Sequence, residues 1–168
     1  MKKLLGVLSV VALAMIIFRK KEEHDNEPNT NSNINAMNHE SFALTAQSPN
    51  FKMAEFNSHD GTVVPTKYRG NVQTLMNQLE VIRSYFNAPV TINSGYRSPA
   101  HNKNIGGVAD SMHLFGKAAD IKVAGYSPSQ VHAGILKLIK DKRIINGGVG
   151  KYSSFTHYDI GPARRWNG

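Results

Sequence analysis

The most constraining feature of this sequence is a glycine-rich stretch, residues 94–120, that carries a histidine and an aspartate seven positions apart. It reads SGYRSPAHNKNIGGVADSMHLFGKAAD, and its second half places His113 and Asp120 in Ser-x-His-x-x-Gly-x-Ala-x-Asp. Gly116 lies between them, and a glycine allows the backbone bend that lets both side chains converge on one point. Another histidine, His157, follows near the C-terminus in Phe-Thr-His-Tyr-Asp.

These side chains form a plausible metal-ligand set of two imidazoles and one carboxylate. The chain has no cysteine, so a metal here must be held by histidine and carboxylate. Such a set is typical of a catalytic zinc ion that keeps its fourth position for water. A single histidine is more simply interpreted as a hydrogen-bonded core residue. The motifs taken together favour zinc bound by His113, Asp120 and His157.

Length and charge limit the remaining possibilities. At 168 residues the chain accommodates one domain and a tail, and we expect it to act as a monomer. The formal net charge of +8 favours anionic partners, such as nucleic acid or anionic cell-wall polymer, or serves solubility alone. The predicted domain contains no basic cluster interleaved with aromatic residues, so nucleic acid is not an expected partner.

The N-terminal part has a different composition from the rest. Residues 1–21 carry an apolar run, Leu4–Phe18, between lysines on one side and Arg19-Lys20-Lys21 on the other. The run has the length of a signal sequence, and no Ala-x-Ala-like cleavage site follows it. We therefore favour an uncleaved signal anchor over a cleaved signal peptide, which would make the membrane a partner. Residues 22–49 contain few large apolar residues and are predicted to be a flexible polar linker.

The pattern of residues 50–168 predicts a single α+β domain, a small antiparallel sheet with flanking helices. Apolar residues recur at helical spacing between Asn71 and Asn87 and again after Ser127-Pro128. The predicted elements are helices over 71–87 and 128–142, a short helix after Ser98-Pro99, and strands over 90–93, 117–123, 147–150 and 155–160.

Several of these motifs, in this order, resemble the M15 group of zinc peptidases. They are SGYRS, HN and GG in HNKNIGG, SMHLFGKAAD, GGVG, FTHYD and RRW, within residues 51–168. This group contains D-alanyl-D-alanine carboxypeptidases and murein endopeptidases, and the sequence is most similar to its small M15A-type members from bacteria and phages. The resemblance implies the Hedgehog/DD-peptidase-like fold, one zinc ion on His113, Asp120 and His157, and peptidoglycan peptide stems as the substrate. It also implies a location in the cell envelope, either membrane-anchored or secreted.

The resemblance also suggests roles for residues around the metal. Arg97 matches the arginine of Ser-Gly-Tyr-Arg-Ser and is expected to hold a substrate carboxylate or the developing oxyanion, or else to fix its own loop. Ser111 is expected to contact substrate or the backbone, and Tyr96 is expected to contact substrate at the rim of the cleft. Trp166 is expected either at this rim or as a core residue near the end of the chain.

The positions that carry the general base in relatives are occupied here by Ser154 and Phe155. Asp159 shares a strand face with His157, since side chains two positions apart point the same way. We therefore consider three roles for Asp159: general base, partner that orients His157, and structural salt bridge. Two functions compete with a cell-wall peptidase of the bacterial host: a phage lysis endopeptidase on the same fold, and a non-catalytic zinc-containing module that binds cell wall.

Overall fold

The structure, a computed structural model, describes residues 48–168. This part forms an α+β fold of a five-stranded sheet with flanking helices, which confirms the predicted fold class. The helices are α1 (Thr66–Phe86), α2 (Pro99–Asn104) and α3 (Pro128–Lys140), with short 3-10 helices at Met53–Phe56 and Met112–Phe115. The strands are β1 (Val90–Ser94), β2 (Ala118–Val123), β3 (Gly148–Lys151), β4 (Thr156–Asp159) and β5 (Arg164–Asn167).

Helix α1 forms where the apolar stripe predicted it. Its buried residues are Val72, Leu75, Met76, Leu79, Ile82 and Phe86. The helix begins at Thr66, directly after Pro65, and therefore includes Gly70, which the sequence placed before the helix. It ends where Asn87 adopts a left-handed conformation (φ 48°), two residues before Pro89, which has no backbone N–H to continue a helix.

The sheet has the strand order β1-β2-β4-β3-β5. Neighbouring strands are antiparallel except for β3 and β5, which are parallel. Helices α1 and α3 pack against the sheet. The core between the helices and the sheet contains a fully buried row of paired residues from β3, β4 and β2, namely Val149, Tyr158 and Ala119.

The next row of paired residues crosses all the strands of this sheet and contains most of the candidate site. From one edge to the other it runs Trp166, Gly150, His157, Asp120 and Ser94. Because side chains alternate between the faces of a strand, this row points away from the helices. The strand register therefore brings two of the predicted metal ligands side by side.

Three elements were not predicted from the sequence: strand β5 and the two 3-10 helices, Met53–Phe56 and Met112–Phe115. Strand β5 consists of Arg-Arg-Trp-Asn at the sheet edge, and charged residues on an edge strand hide the usual apolar alternation. The 3-10 helix Met112–Phe115 is too short to produce a periodic pattern.

No helix within residues 48–168 is long and apolar enough to cross a membrane. The predicted anchor, residues 1–21, and nearly all of the predicted linker, residues 22–49, lie outside the described residues.

Candidate metal centre

The structure brings the three predicted ligand residues together in a buried cluster. Oδ1 of Asp120 lies 2.9 Å from Nδ1 of His157 and 3.3 Å from Nε2 of His113. The two histidine nitrogens are 3.2 Å apart. All three residues are buried, and among the described residues they are the group of histidine and acidic side chains that could hold a metal ion.

His113 reaches this cluster from the 3-10 helix rather than from the sheet. That helix ends at Gly116, which adopts a left-handed conformation (φ 63°) and turns the chain into β2. The bend predicted from the sequence is therefore present between His113 and Asp120. Nδ1 of His113 lies 2.6 Å from the carbonyl oxygen of Gly95, so it carries the proton and leaves the Nε2 lone pair facing Asp120.

His157 is oriented in the same manner by a different partner. Its Nε2 lies 3.0 Å from Oδ2 of Asp159, which is fully buried. A proton on Nε2 satisfies that carboxylate and leaves the Nδ1 lone pair facing Asp120 and His113. Each histidine thus has one nitrogen held by an oxygen outside the cluster, the arrangement usual for metal-ligating histidines.

This arrangement fits a divalent cation. In these tautomers, two imidazole lone pairs and a carboxylate oxygen face one another with no proton between them. Three acceptors in contact repel each other unless a cation or an added proton lies among them. Imidazole and carboxylate are ligands that zinc accepts, and the three residues His113, Asp120 and His157 leave a position for water.

The pKa values show the same preference for positive charge. Burial lowers the pKa of His113 and keeps it neutral. Burial also acts to lower the pKa of His157, but hydrogen bonds to Asp120 and Asp159 outweigh it and raise the pKa. Burial acts to raise the pKa of Asp120, yet its contacts with both histidines hold it well below its ordinary value. A metal ion would take the place of the proton that His157 otherwise retains.

Arg97 lies beside the metal cluster and is bound to it. Its Nη2 donates to Oδ2 of Asp120 at 2.5 Å, and its Nε donates to Ser94 at 3.0 Å. The guanidinium therefore fixes one carboxylate oxygen and leaves the other for the histidines. The Arg97 side chain remains 16% exposed and lines the cleft, so part of it faces the cleft interior.

The other two predicted substrate contacts lie in different places. Ser111 lines the metal cleft, as expected from its position two residues before His113. Tyr96 does not line this cleft. It is 4% exposed and lies in the wall of a neighbouring cavity, because adjacent side chains of the extended segment 96–97 point in opposite directions.

Asp159 lies behind His157, away from the metal-facing nitrogen. Besides contacting Nε2, its oxygens accept hydrogen bonds from the backbone N–H of Gly148 and Gly161 and from Nη2 of Arg164. Burial acts to raise the pKa of Asp159, but its hydrogen bond from His157 and those from the backbone lower it. Of the three roles considered for Asp159, this geometry favours that of a partner that orients His157. Asp159 also forms a salt bridge with Arg164.

The positions of the usual bases contribute no proton acceptor. Ser154 is exposed and is not among the residues lining the metal cleft. Phe155 lines the cleft and stacks on Tyr152, with ring centroids 4.4 Å apart.

An aromatic wall completes the cleft, which has a volume of about 800 Å³. It is formed by Tyr152, Phe155 and Trp166, with Nε1 of Trp166 donating to the hydroxyl of Tyr152 at 3.0 Å. The ring of Trp166 lies 5.0 Å from that of His157. The sequence suggested Trp166 either for the cleft rim or for the core. The pairing of β5 with β3 places it in the wall of the cleft.

A buried His-Asp-His cluster that lines an open cleft is the kind of site found in single-metal hydrolases. The sequence profile of the peptidase M15 family matches residues 49–159, and the chain belongs to this family. The predicted family resemblance is thereby confirmed.

Two relatives give the family context. The chain is 29% identical over 127 residues to a zinc D-Ala-D-Ala carboxypeptidase of Streptomyces albus G, covering 70% of this chain and 48% of that protein. It is 38% identical over 89 residues to a probable peptidoglycan L,D-endopeptidase, MepK, of Haemophilus influenzae, covering 49% of this chain and 45% of that protein. The chain thus spans about half the length of these relatives.

Proposed function

We propose that this protein is a zinc-dependent peptidase that hydrolyses peptide bonds involving D-amino acids in peptidoglycan. The observation that carries the proposal is the convergence of His113, Asp120 and His157 with the outer nitrogen of each histidine already held. Zinc, when bound, lowers the pKa of a bound water and polarises a carbonyl group.

The residues of the chain supply the positioning. Gly95 and Asp159 fix the two histidine rings, and Arg97 fixes the carboxylate of Asp120. The exposed part of Arg97 offers a planar cation to a substrate carboxylate or to negative charge that develops on the scissile carbonyl.

The substrate class rests on the relatives. One is named as a zinc D-Ala-D-Ala carboxypeptidase and the other as a probable peptidoglycan L,D-endopeptidase. Family membership supports peptide hydrolysis, and these names support cell-wall peptides as the substrate.

The experiment is digestion of purified peptidoglycan by the zinc-loaded protein, with mass spectrometry of the released muropeptides. Loss of terminal D-Ala indicates a carboxypeptidase, and loss of crosslinked dimers indicates an endopeptidase. Activity that is absent after chelation and returns with zinc supports the proposal.

A non-catalytic zinc module that binds cell wall is the second candidate. It is favoured by one observation, the absence of a free carboxylate or imidazole at positions 154 and 155 beside His157. Stoichiometric zinc with peptidoglycan binding but no released product would select this candidate.

The metal assignment itself predicts about one zinc per chain, as a site with one ligand set implies. Each of His113→Ala, Asp120→Ala and His157→Ala removes a donor and should abolish stoichiometric zinc, measured by metal analysis after gel filtration. His132→Ala, at a half-buried histidine on α3, is the control and should keep the metal. Full zinc occupancy in all three ligand variants would refute the assignment.

We also propose that the protein acts outside the cytoplasm, held by residues 1–21. The apolar run Leu4–Phe18 with basic flanks supports this location. The full chain should pellet with membranes and resist extraction by salt, whereas a chain starting at residue 22 should remain in the supernatant. A mature N-terminus between residues 15 and 30 would show a cleaved signal instead.

A further inference from the structure

A second cavity lies next to the metal cleft, with a volume of about 640 Å³. The two cavities share Gly106 and Gly107 in their linings. Arg97 and His113 line the metal cleft, whereas Tyr96 and Leu114, the residues next to them in sequence, line the second cavity. A ligand in the metal cleft can therefore continue over the glycines into the neighbouring space.

The second cavity has an aromatic floor. Tyr68 contacts Phe115 edge-on with ring centroids 6.0 Å apart, and it lies 6.1 Å from the ring of Tyr96. Phe115 is 37% exposed, so part of this apolar surface is available to a ligand. Aromatic lining with a few polar groups is typical of binding sites of roughly 300–1,000 Å³.

The exposed polar groups of the cavity are two cations. Lys67 and Lys103 line it, both are exposed, and neither forms a salt bridge with another residue of 48–168. Asn102, which is 4% exposed, also lines it, and its Oδ1 accepts no hydrogen bond within the described part of the chain. This oxygen is itself buried against Gly107, so it does not face a ligand in the cavity.

We propose that this cavity is a substrate subsite that binds an acidic residue of the peptide stem beyond the bond being cut. A peptide stem offers two matching groups: a free carboxylate for the lysines and aliphatic side chains for the aromatic floor. The inference rests on the proposed function for the identity of the substrate, and it assigns to Tyr96 and Phe115 a role in specificity.

The test uses two synthetic pentapeptides that end in D-Ala-D-Ala and differ at one group. The first has D-glutamate at the second position, and the second has the same residue with its free carboxylate converted to a carboxamide. Dissociation constants of both peptides are measured by titration of the full-length, zinc-loaded protein. Cleavage of both peptides is followed in parallel by chromatography.

We expect the acidic peptide to bind roughly fivefold more tightly, the effect of two exposed charge contacts. This preference should weaken at high salt, because screening acts on exposed charges. The double variant Lys67→Gln/Lys103→Gln should bring the affinity ratio close to one. Lys140→Gln, at an exposed lysine in the last turn of α3, is the control and should keep the wild-type ratio.

Equal affinity of the wild-type protein for the two peptides would overturn the subsite, as would an unchanged preference in the double lysine variant. Failure of the proposed function gives a different result. In that case neither peptide is cleaved, while the affinity ratio and its dependence on the two lysines still decide whether the cavity recognises the carboxylate.

Discussion

At the scale of single residues, each predicted metal ligand has a hydrogen-bond partner on the side away from the centre of the cluster. His113 is held by the Gly95 carbonyl, His157 by Asp159, and Asp120 by Arg97. These partners set which atom of each ligand faces the centre. Since ligand orientation determines how well three donors match one ion, the outer partners affect metal affinity although they do not touch the metal.

Asp159→Asn tests this arrangement. Asparagine keeps the shape of the side chain but weakens its acceptor for the Nε2 proton, so the ring of His157 loses its fixed tautomer. We expect zinc affinity to fall roughly ten- to a hundredfold, measured by competition with a chelating dye. Asp110→Asn, at an exposed carboxylate lining the same cleft, should bind zinc normally.

The opposite result would identify a different role for Asp159. Zinc affinity equal to wild type, with kcat lower by roughly 10²–10⁴, is the behaviour of a general base. Unchanged zinc affinity and unchanged kcat would remove Asp159 from the site.

At the scale of elements, the segment GGVG in β3 explains how the sheet accommodates the site. A Cβ on Gly148 would lie 2.2 Å from Oδ2 of Asp159, and a Cβ on Gly150 would lie 2.4 Å from Cε2 of Trp166. The two glycines leave room for the Asp159–Arg164 salt bridge and for the tryptophan ring. Val149 between them points to the core. Strand β3 therefore has no side chains at Gly148 and Gly150 on the face of the site, and it packs Val149 into the core on the other face.

Gly150→Ala and Gly70→Ala make the same chemical change with opposite expected effects. At Gly150 the added methyl collides with Trp166 and should destabilise the fold by roughly 1–3 kcal/mol. At Gly70, inside α1, no atom lies within 4 Å of the added methyl, and alanine should stabilise the helix by roughly 0.5–1 kcal/mol.

Chemical denaturation measures both free energies of unfolding. Trp166 is the only tryptophan in the chain, so its fluorescence should also change in Gly150→Ala. Equal stability of the two variants would show that Trp166 does not lie over Gly150.

At the scale of the whole molecule, the buried charges of the site link folding to pH. Asp120 and Asp159 keep lowered pKa values, although burial acts to raise them, because their contacts with the histidines favour the carboxylates. A carboxyl group with a lowered folded pKa contributes stability above its unfolded pKa of about 4, and this contribution disappears as the pH falls through the folded pKa. His113, whose pKa is lowered by burial, acts in the same direction.

The zinc-free protein should therefore lose stability as the pH is lowered from about 5 to about 2. Urea denaturation with a chelator present, repeated across this range, measures the slope. Asp120→Asn should flatten the slope, whereas Asp110→Asn should leave it as in the wild type. A zinc-free protein with constant stability over this range would contradict the ion-pair network described for the site.

The sequence by itself determined the periodic helix α1, the turn at Gly116, the three candidate ligands and the family. These are local properties, since they depend on residue type and on spacing along a continuous segment. The sequence also identified Asp159 and Tyr96 as candidates, but it did not determine where their side chains lie.

Only the tertiary structure placed Asp159 behind His157, Tyr96 in the second cavity and Trp166 over the metal cleft. The physical reason is strand register. The pairing of Asp120 with His157, and of Gly150 with Trp166, joins segments that are distant in sequence. A shift of one residue would move each side chain to the opposite face of the sheet, and no local pattern in these short, glycine- and arginine-containing strands specifies that register.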